Sequence, residues 1–285
     1  MKTTLPLSAL LLGLIACTPV DGPRLSRSPN QQAPAAQTTR PISVATTQTN
    51  LTSTQKATIG RKIWQNESGG TRNGLTAWNE GEAFPSLGIG HFIWYPAGKS
   101  GPYTESFPQF IAFARQQGAT PPAIALSRGA PWPTRIAFKS EFNGRPMIGL
   151  RNWLANSVPL QTDFIIAKSR ASLPKILQAA GRDAALVQAN YNRTATSASG
   201  QYALIDYVNF KGEGINPKER YNGQGWGLLQ VLQEMRGNAT GQAAAIEFSR
   251  AAKAVMARRV ANSGGKDVRW HAGWQNRCAT YAQPL

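Results

Sequence analysis

The sequence predicts a mostly α (α+β) domain: a helical body with one small antiparallel β-sheet near its N-terminal end. Three observations carry that expectation. Ile59, Ile63 and Trp64 recur at helical spacing, and the run stops at Gly69-Gly70, a pair suited to closing a helix. From Thr71 to Tyr95 the chain turns to Gly, Asn, Pro and aromatics with short apolar alternation, the pattern of a hairpin or three short strands. Beyond Pro102 apolar residues again share one face at helical spacing, segment after segment.

The elements follow in order. Ser53 and Thr54 are cap candidates for the first helix, which carries Glu67 in its last turn. Phe107, Phe110, Ile111 and Ala114 define the next helical face. Leu150, Trp153 and Leu154 define another, with Pro146 at a first-turn position. Leu160, Phe164 and Ile165 make a third, with Lys168 at its edge. Further helices are expected over roughly 172–190, 200–210, 225–235, 241–261 and 274–282.

Ahead of the domain, Met1-Lys2 gives a positive start, and Leu5 to Ala16 is an apolar run too short for an ordinary transmembrane helix. It ends in Leu14-Ile15-Ala16-Cys17, which resembles a bacterial lipobox, where the Cys is lipidated and becomes the mature N-terminus. Residues 1–16 are therefore expected to be a lipoprotein signal peptide, with an ordinary secretory signal as the alternative. Thr18 rather than Asp after the Cys resembles Gram-negative lipoproteins of the outer membrane, so the expected location is its periplasmic face. Residues 17–54 are rich in Pro, Gln, Ser, Thr, Ala and Asn and are read as a flexible tether. Residues 55–285 form the folded domain.

There are 31 Lys and Arg against 14 Asp and Glu, a formal net charge of +17. Such an excess attracts polyanions without regard to sequence. It is scattered, with no basic block of a nucleic-acid arm, so for an exported protein the expected polyanions are cell wall, lipopolysaccharide or anionic lipid. With Cys17 acylated, Cys278 is the only remaining thiol; no intramolecular disulfide forms, and Cys278 reads as a small buried apolar residue. His91 and His271 are the only histidines, and no Cys/His cluster has metal-ligand spacing, which argues against a zinc hydrolase. No metal or organic cofactor is expected, and the chain is read as a monomer.

The stretch most able to carry chemistry runs from Glu67 to His91. Glu67 ends a helix, Glu80 and Glu82 lie in a Gly-rich turn region, and Ser86-Leu-Gly-Ile-Gly-His91 follows. Carboxylates flanking a cleft are the equipment for protonating and breaking a glycosidic bond. The segment resembles the active-site helix and hairpin of phage-type lysozymes, whose pattern is a catalytic Glu, an Asp in the hairpin, then Thr-hydrophobic-Gly-hydrophobic-Gly-His. Without a gap before His91, Glu80 falls on that Asp and Ser86 on that Thr. Glu and Ser replace Asp and Thr, and the hairpin is a few residues longer. The resemblance implies a lysozyme-like fold and peptidoglycan cleavage, with Glu67 as general acid, Glu80 as second carboxylate and Ser86 holding a water. Glu82 competes with Glu80. Trp64 and Trp78 are candidates for an apolar wall beside Glu67. His91 reads as a packed histidine paired with a carboxylate, and it is carried as a cleft residue.

A second dense stretch is Asp206-Tyr-Val-Asn-Phe-Lys-Gly-Glu-Gly214, continued by Glu219-Arg-Tyr-Asn-Gly-Gln-Gly-Trp-Gly-Leu-Leu-Gln230. Planar polar side chains beside aromatics suit sugar recognition. Asn209, Glu213, Glu219, Tyr221 and Gln224 are the substrate-cleft candidates, and Glu213 or Glu219 is the reserve second carboxylate. Gly-Leu-Leu-Gln resembles the Gly-Leu-Met-Gln of soluble lytic transglycosylases, but lies far from Glu67. Trp270-His-Ala-Gly-Trp274-Gln-Asn-Arg277 reads as a packing motif without chemistry. The expected function is a lysozyme-like glycoside hydrolase tethered to the cell envelope. A lytic transglycosylase using Glu67 alone and a non-catalytic wall-binding lipoprotein are the alternatives. Chitosanase-like cleavage is disfavoured because a basic protein repels a cationic polymer.

Overall fold

The computed structural model describes residues 50–285. The expected signal peptide, Cys17 and most of the tether lie outside the described residues. Within them the chain is mostly helical, with one small antiparallel sheet.

Helix α1 spans Ser53–Ser68. Its cap is Thr52, one residue ahead of the expected pair: the Thr52 hydroxyl accepts from the Gln55 amide at 3.2 Å while Gln55 Oε1 accepts from the Thr52 amide at 2.9 Å. This reciprocal box satisfies two of the donors a helix start leaves open. Gly69, at φ 63°, ends the helix in the left-handed conformation, placing Glu67 in the last turn as expected. Strands β1 (Thr76–Ala77), β2 (Ser86–Leu87) and β3 (Phe92–Ile93) then form a sheet in that order. Ser86 opposes Ala77 on one side and Ile93 on the other.

Helix α2 (Phe107–Gln116) buries the four residues expected to share its face. A six-residue helix α3 (Arg135–Ser140) was not expected; Phe138 is its one buried residue, so no periodic face announces it. Helix α4 (Arg145–Asn156) carries Pro146 in its first turn. Helix α5 (Val158–Ala180) runs straight through Pro174. The carbonyl that Pro174 leaves without a donor belongs to exposed Arg170, where the loss costs least. The break falls later, at Gly181 with φ 55°, so the single helix expected over 172–190 is divided between α5 and α6 (Ala184–Thr194). Helices α7 (Ala198–Lys211), α8 (Leu228–Glu234), α9 (Gly241–Asn262) and α10 (His271–Ala279) complete the body.

Helix α7 is buried without interruption from Ser199 to Val208, and α1, α5, α6, α8 and α9 all pack on it. A helix buried all round needs no amphipathic stripe. Its one buried acid, Asp206, must then find its counter-charge inside the fold. A second apolar focus joins the sheet to the helices: Phe92 stacks on Phe110 at 5.1 Å, and Trp94 lies 4.8 Å from Phe107 and 6.1 Å from Trp132. Helix α10 packs on α9, returning the chain end towards α1. No helix among the described residues is long and apolar enough to cross a membrane.

Candidate active site

Three elements far apart in sequence meet at the Glu67 carboxylate. Arg277 Nη2 from α10 donates to Glu67 Oε1 at 2.7 Å, and Asn209 Nδ2 from α7 donates to the same oxygen at 3.1 Å. His91 Nδ1, in the turn between β2 and β3, faces Oε2 at 3.6 Å, beyond hydrogen-bond length. The Glu67 side chain is 15% exposed, so Oε1 is fully engaged while Oε2 stays open to a further partner. The other His91 nitrogen, Nε2, lies 3.4 Å from the Gly74 carbonyl. A proton on Nε2 satisfies that carbonyl and leaves the Nδ1 lone pair towards Oε2; this tautomer is assigned from the contact.

Asp206 fixes the cradle from beneath. It is fully buried and accepts from Arg277 Nε at 2.9 Å, Arg277 Nη2 at 2.8 Å and the Tyr281 hydroxyl at 2.6 Å. Asn66, beside Glu67 on α1, reaches the same carboxylate at 3.4 Å and Tyr202 at 3.0 Å. Burial alone lowers the Arg277 pKa, but the Asp206 and Glu67 charges outweigh it and hold the guanidinium protonated. Burial, followed by the Asp206 charge, pushes the Tyr281 hydroxyl well up, so it remains a donor. The Arg277 plane lies 4.1 Å from the Phe210 ring centroid, which fixes its orientation.

Two adjoining cavities open beside this cradle. A small one of about 130 Å³ is lined by Gly90, His91 and Asn209 among others, and a larger cleft of about 860 Å³ shares Asn209 and Lys168 with it. Glu213, Glu219, Phe210, Lys211, Trp226 and Arg259 also line the cleft. Its wall alternates cations and rings. Lys211 Nζ sits 4.0 Å from the Phe210 centroid and 3.7 Å from that of Trp274; the Arg259 guanidinium lies 4.6 Å from Trp274 and 4.0 Å from Trp226. Burial, then the Arg259 and Arg277 charges, brings the Lys211 ammonium down to about 6.

The structure therefore unites Glu67, His91 and Asn209, and places Asn209, Glu213 and Glu219 on one cleft. It does not bring the remaining candidates to either cavity. Glu80 is exposed in the turn between β1 and β2. Glu82 accepts from Asn79 within that turn, and its carbonyl accepts from Trp78 Nε1. Ser86 is buried in the central strand. Tyr221 and Gln224 exchange backbone hydrogen bonds across a tight turn, and Tyr221 packs on Trp226 at 4.8 Å. The Gly-rich loop has a packing cause: a Cβ on Gly227 would lie 2.2 Å from the Gly214 nitrogen.

Two expectations are corrected. Trp78 does not wall Glu67; it packs edge-on to Phe138 in the core, and Trp64 donates its indole N–H to the Thr71 carbonyl. Phe210 packs on Arg277 and lines the cleft with Trp226, while Trp274 packs on Lys211 and Arg259. The C-terminal motif does more than pack, since Arg277 holds Glu67 and Trp274 covers Lys211. The spacing of Trp274 and Arg277, three apart on one helix face, was a readable signal for it. Cys278 is buried as expected, its thiol pushed up to about 12 by burial and then by Asp206.

No group of three or more His, Cys, Asp or Glu among the described residues is placed to hold a metal ion. Comparison of the chain with protein-family models, curated protein sequences and solved structures finds no match.

Proposed function

We propose that this chain is a lysozyme-like glycan-cleaving enzyme of the bacterial cell envelope, acting on peptidoglycan through Glu67. The Glu67 cradle carries the reading. Oε1 accepts from Arg277 and Asn209, neither of which takes a proton from a carboxylic acid, so Oε2 is the atom that holds and delivers it. The assigned His91 tautomer presents a lone pair to that proton. The helix ending in Glu67, followed by a short three-stranded sheet and a helical body, supports a lysozyme-like arrangement.

In this reading Glu67 protonates the glycosidic oxygen as its bond to the sugar carbon breaks, and a second carboxylate activates water or steadies the developing positive charge. Glu219 is the first choice for that role. It lines the cleft and forms no ion pair among the described residues, whereas Glu213 is tied to Lys175 at 3.4 Å and Glu80 lies in an exposed turn. A second reading, transglycosylation by Glu67 alone, is favoured by its being the one carboxylate that Arg277 and Asn209 present together. The test is release of soluble glycan from purified sacculi. Wild type releases it, and a folded Glu67→Gln protein does not.

Envelope attachment is proposed through a lipid on Cys17. Cys17→Ser is expected to move the protein from the membrane to the soluble fraction with unchanged Tm and cleavage rate, since the domain's first cap is Thr52. Absence of fatty-acid label on wild type would remove the anchor.

A further inference from the structure

We infer that the cleft beside Glu67 contains an anion-recognition site, centred on Lys211 with Lys168 lining the same cleft, that takes a carboxylate carried on a sugar. The inference rests on the glycan-cleaving reading and names which feature of the glycan this cleft selects.

The observation behind it is an unmatched charge. Lys168, Lys175, Lys211 and Arg259 line the cleft, against Glu213 and Glu219. Lys175 pairs with Glu213, and Arg259 with Asp267 at 2.8 Å, so both are answered within the fold. Neither Lys211 nor Lys168 forms an ion pair among the described residues. Lys211 closes α7 between two rings and beside two more cations, an expensive place for an ammonium without a counter-ion. A carboxylate arriving from the cleft would supply it. Phe210 and Trp226 line the same cleft, and ring faces stack on pyranose rings, which favours a sugar acid over a bare inorganic anion.

The charged groups around Lys211 set a pH signature. Arg259 from α9 and Arg277 from α10 oppose its protonation; Glu67 from α1 and Asp267, ahead of α10, favour it. The free ammonium sits at about 6, and a bound carboxylate raises it. Affinity is then greatest below pH 6 and falls as pH rises above it, with about half a proton taken up per ligand between about pH 6 and 7.

The experiment is calorimetric titration of the wild-type chain. The probes are the N-acetylglucosamine–N-acetylmuramic acid disaccharide, its carboxyl-reduced form, and inorganic phosphate. The acidic disaccharide is expected to bind about tenfold tighter than the reduced one at pH 5, with that preference shrinking by about tenfold at pH 8. Lys211→Met, whose apolar stem fills the same slot between the rings, is expected to lose the preference and keep the affinity for the reduced sugar. Lys168→Met should lose part of it. Equal binding of both sugars by wild type, an unchanged preference in Lys211→Met, binding of neither sugar, or tighter binding of phosphate than of the acidic sugar would each overturn the site. Sacculus cleavage by the same preparation judges Glu67 separately, so an enzyme that cleaves yet binds both sugars alike loses only this inference.

Discussion

Two Glu–Arg pairs in this domain look alike by distance and exposure and differ in how their carboxylate oxygens are engaged. Arg277 meets Glu67 at 2.7 Å and Arg193 meets Glu247 at 2.7 Å; the two carboxylates are equally exposed, at 15%. Glu247 has both carboxylate oxygens engaged. The backbone amides of Arg236 and Gly237 donate to its Oε1, and a Cβ on Gly237 would lie 2.6 Å from its Oε2. Burial opposes its charge, but Arg193 and the two amides prevail and hold the carboxyl down to about 2. Arg193 is itself bonded to Asn190 and to the Ala239 carbonyl. Glu67 receives side chains from α7 and α10, leaves Oε2 free of hydrogen bonds, and adjoins a cleft in which Lys168 and Lys211 form no ion pair among the described residues. The Glu247 carboxylate has both oxygens occupied, whereas the Glu67 carboxylate, which we propose acts in cleavage, is held at Oε1 and left open at Oε2.

The sharpest break of this comparison is the same substitution made twice. Glu67→Gln is expected to lower sacculus cleavage by about 10²–10⁴-fold or more, while Glu247→Gln leaves the rate per folded molecule unchanged. Next in size is the cleft: Glu219→Gln is expected to cost on the order of 10²-fold in a hydrolase, against within about twofold for Glu80→Gln. If Glu219→Gln retains full activity with anhydro products, the transglycosylase reading takes over. If Glu80→Gln is the inactive one, the second carboxylate sits in the hairpin after all.

Stability sharpens the contrast. Arg277→Gln strands the buried Asp206 charge and is expected to cost about 3–5 kcal/mol in urea unfolding. Adding Asp206→Asn should recover part of that stability without recovering cleavage. Glu247→Gln is expected to cost about 1–3 kcal/mol. Its pH dependence has a definite sign. The folded pKa is depressed to about 2, so this contribution is present above the ordinary glutamate pKa of 4.5 and lost as pH falls towards 2. Wild type and Glu247→Gln should therefore differ at pH 6 and converge near pH 2. A constant difference across that range would show that the charge is not what stabilises.

The local signals in the sequence led to local structure. Gly69 marked the end of α1, the four apolar positions of α2 all proved buried, and the Gly- and Asn-rich stretch became the small sheet. Pro174 and Gly181 were less legible, because a proline is tolerated where the freed carbonyl belongs to an exposed residue. The site was half legible. Glu67, His91 and Asn209 stood out by residue type and spacing, and the structure joins them. Arg277, 210 positions from Glu67, could not be paired with it from spacing, and Asp206 looked like one polar residue among several. Long-range closure by α10 is a property of packing, so a C-terminal Trp-and-Arg helix read as mere closure until its contacts were known.

The most direct test of the Glu67 cradle as an open, working version of the Glu247 clamp is mass spectrometry of the soluble products from purified sacculi. Wild type, Glu67→Gln and Glu247→Gln are digested side by side at matched folded concentration. The expected result is muropeptides with new reducing ends from wild type and Glu247→Gln, and none from Glu67→Gln. Equal product from Glu67→Gln, or no glycan release by wild type, would contradict it.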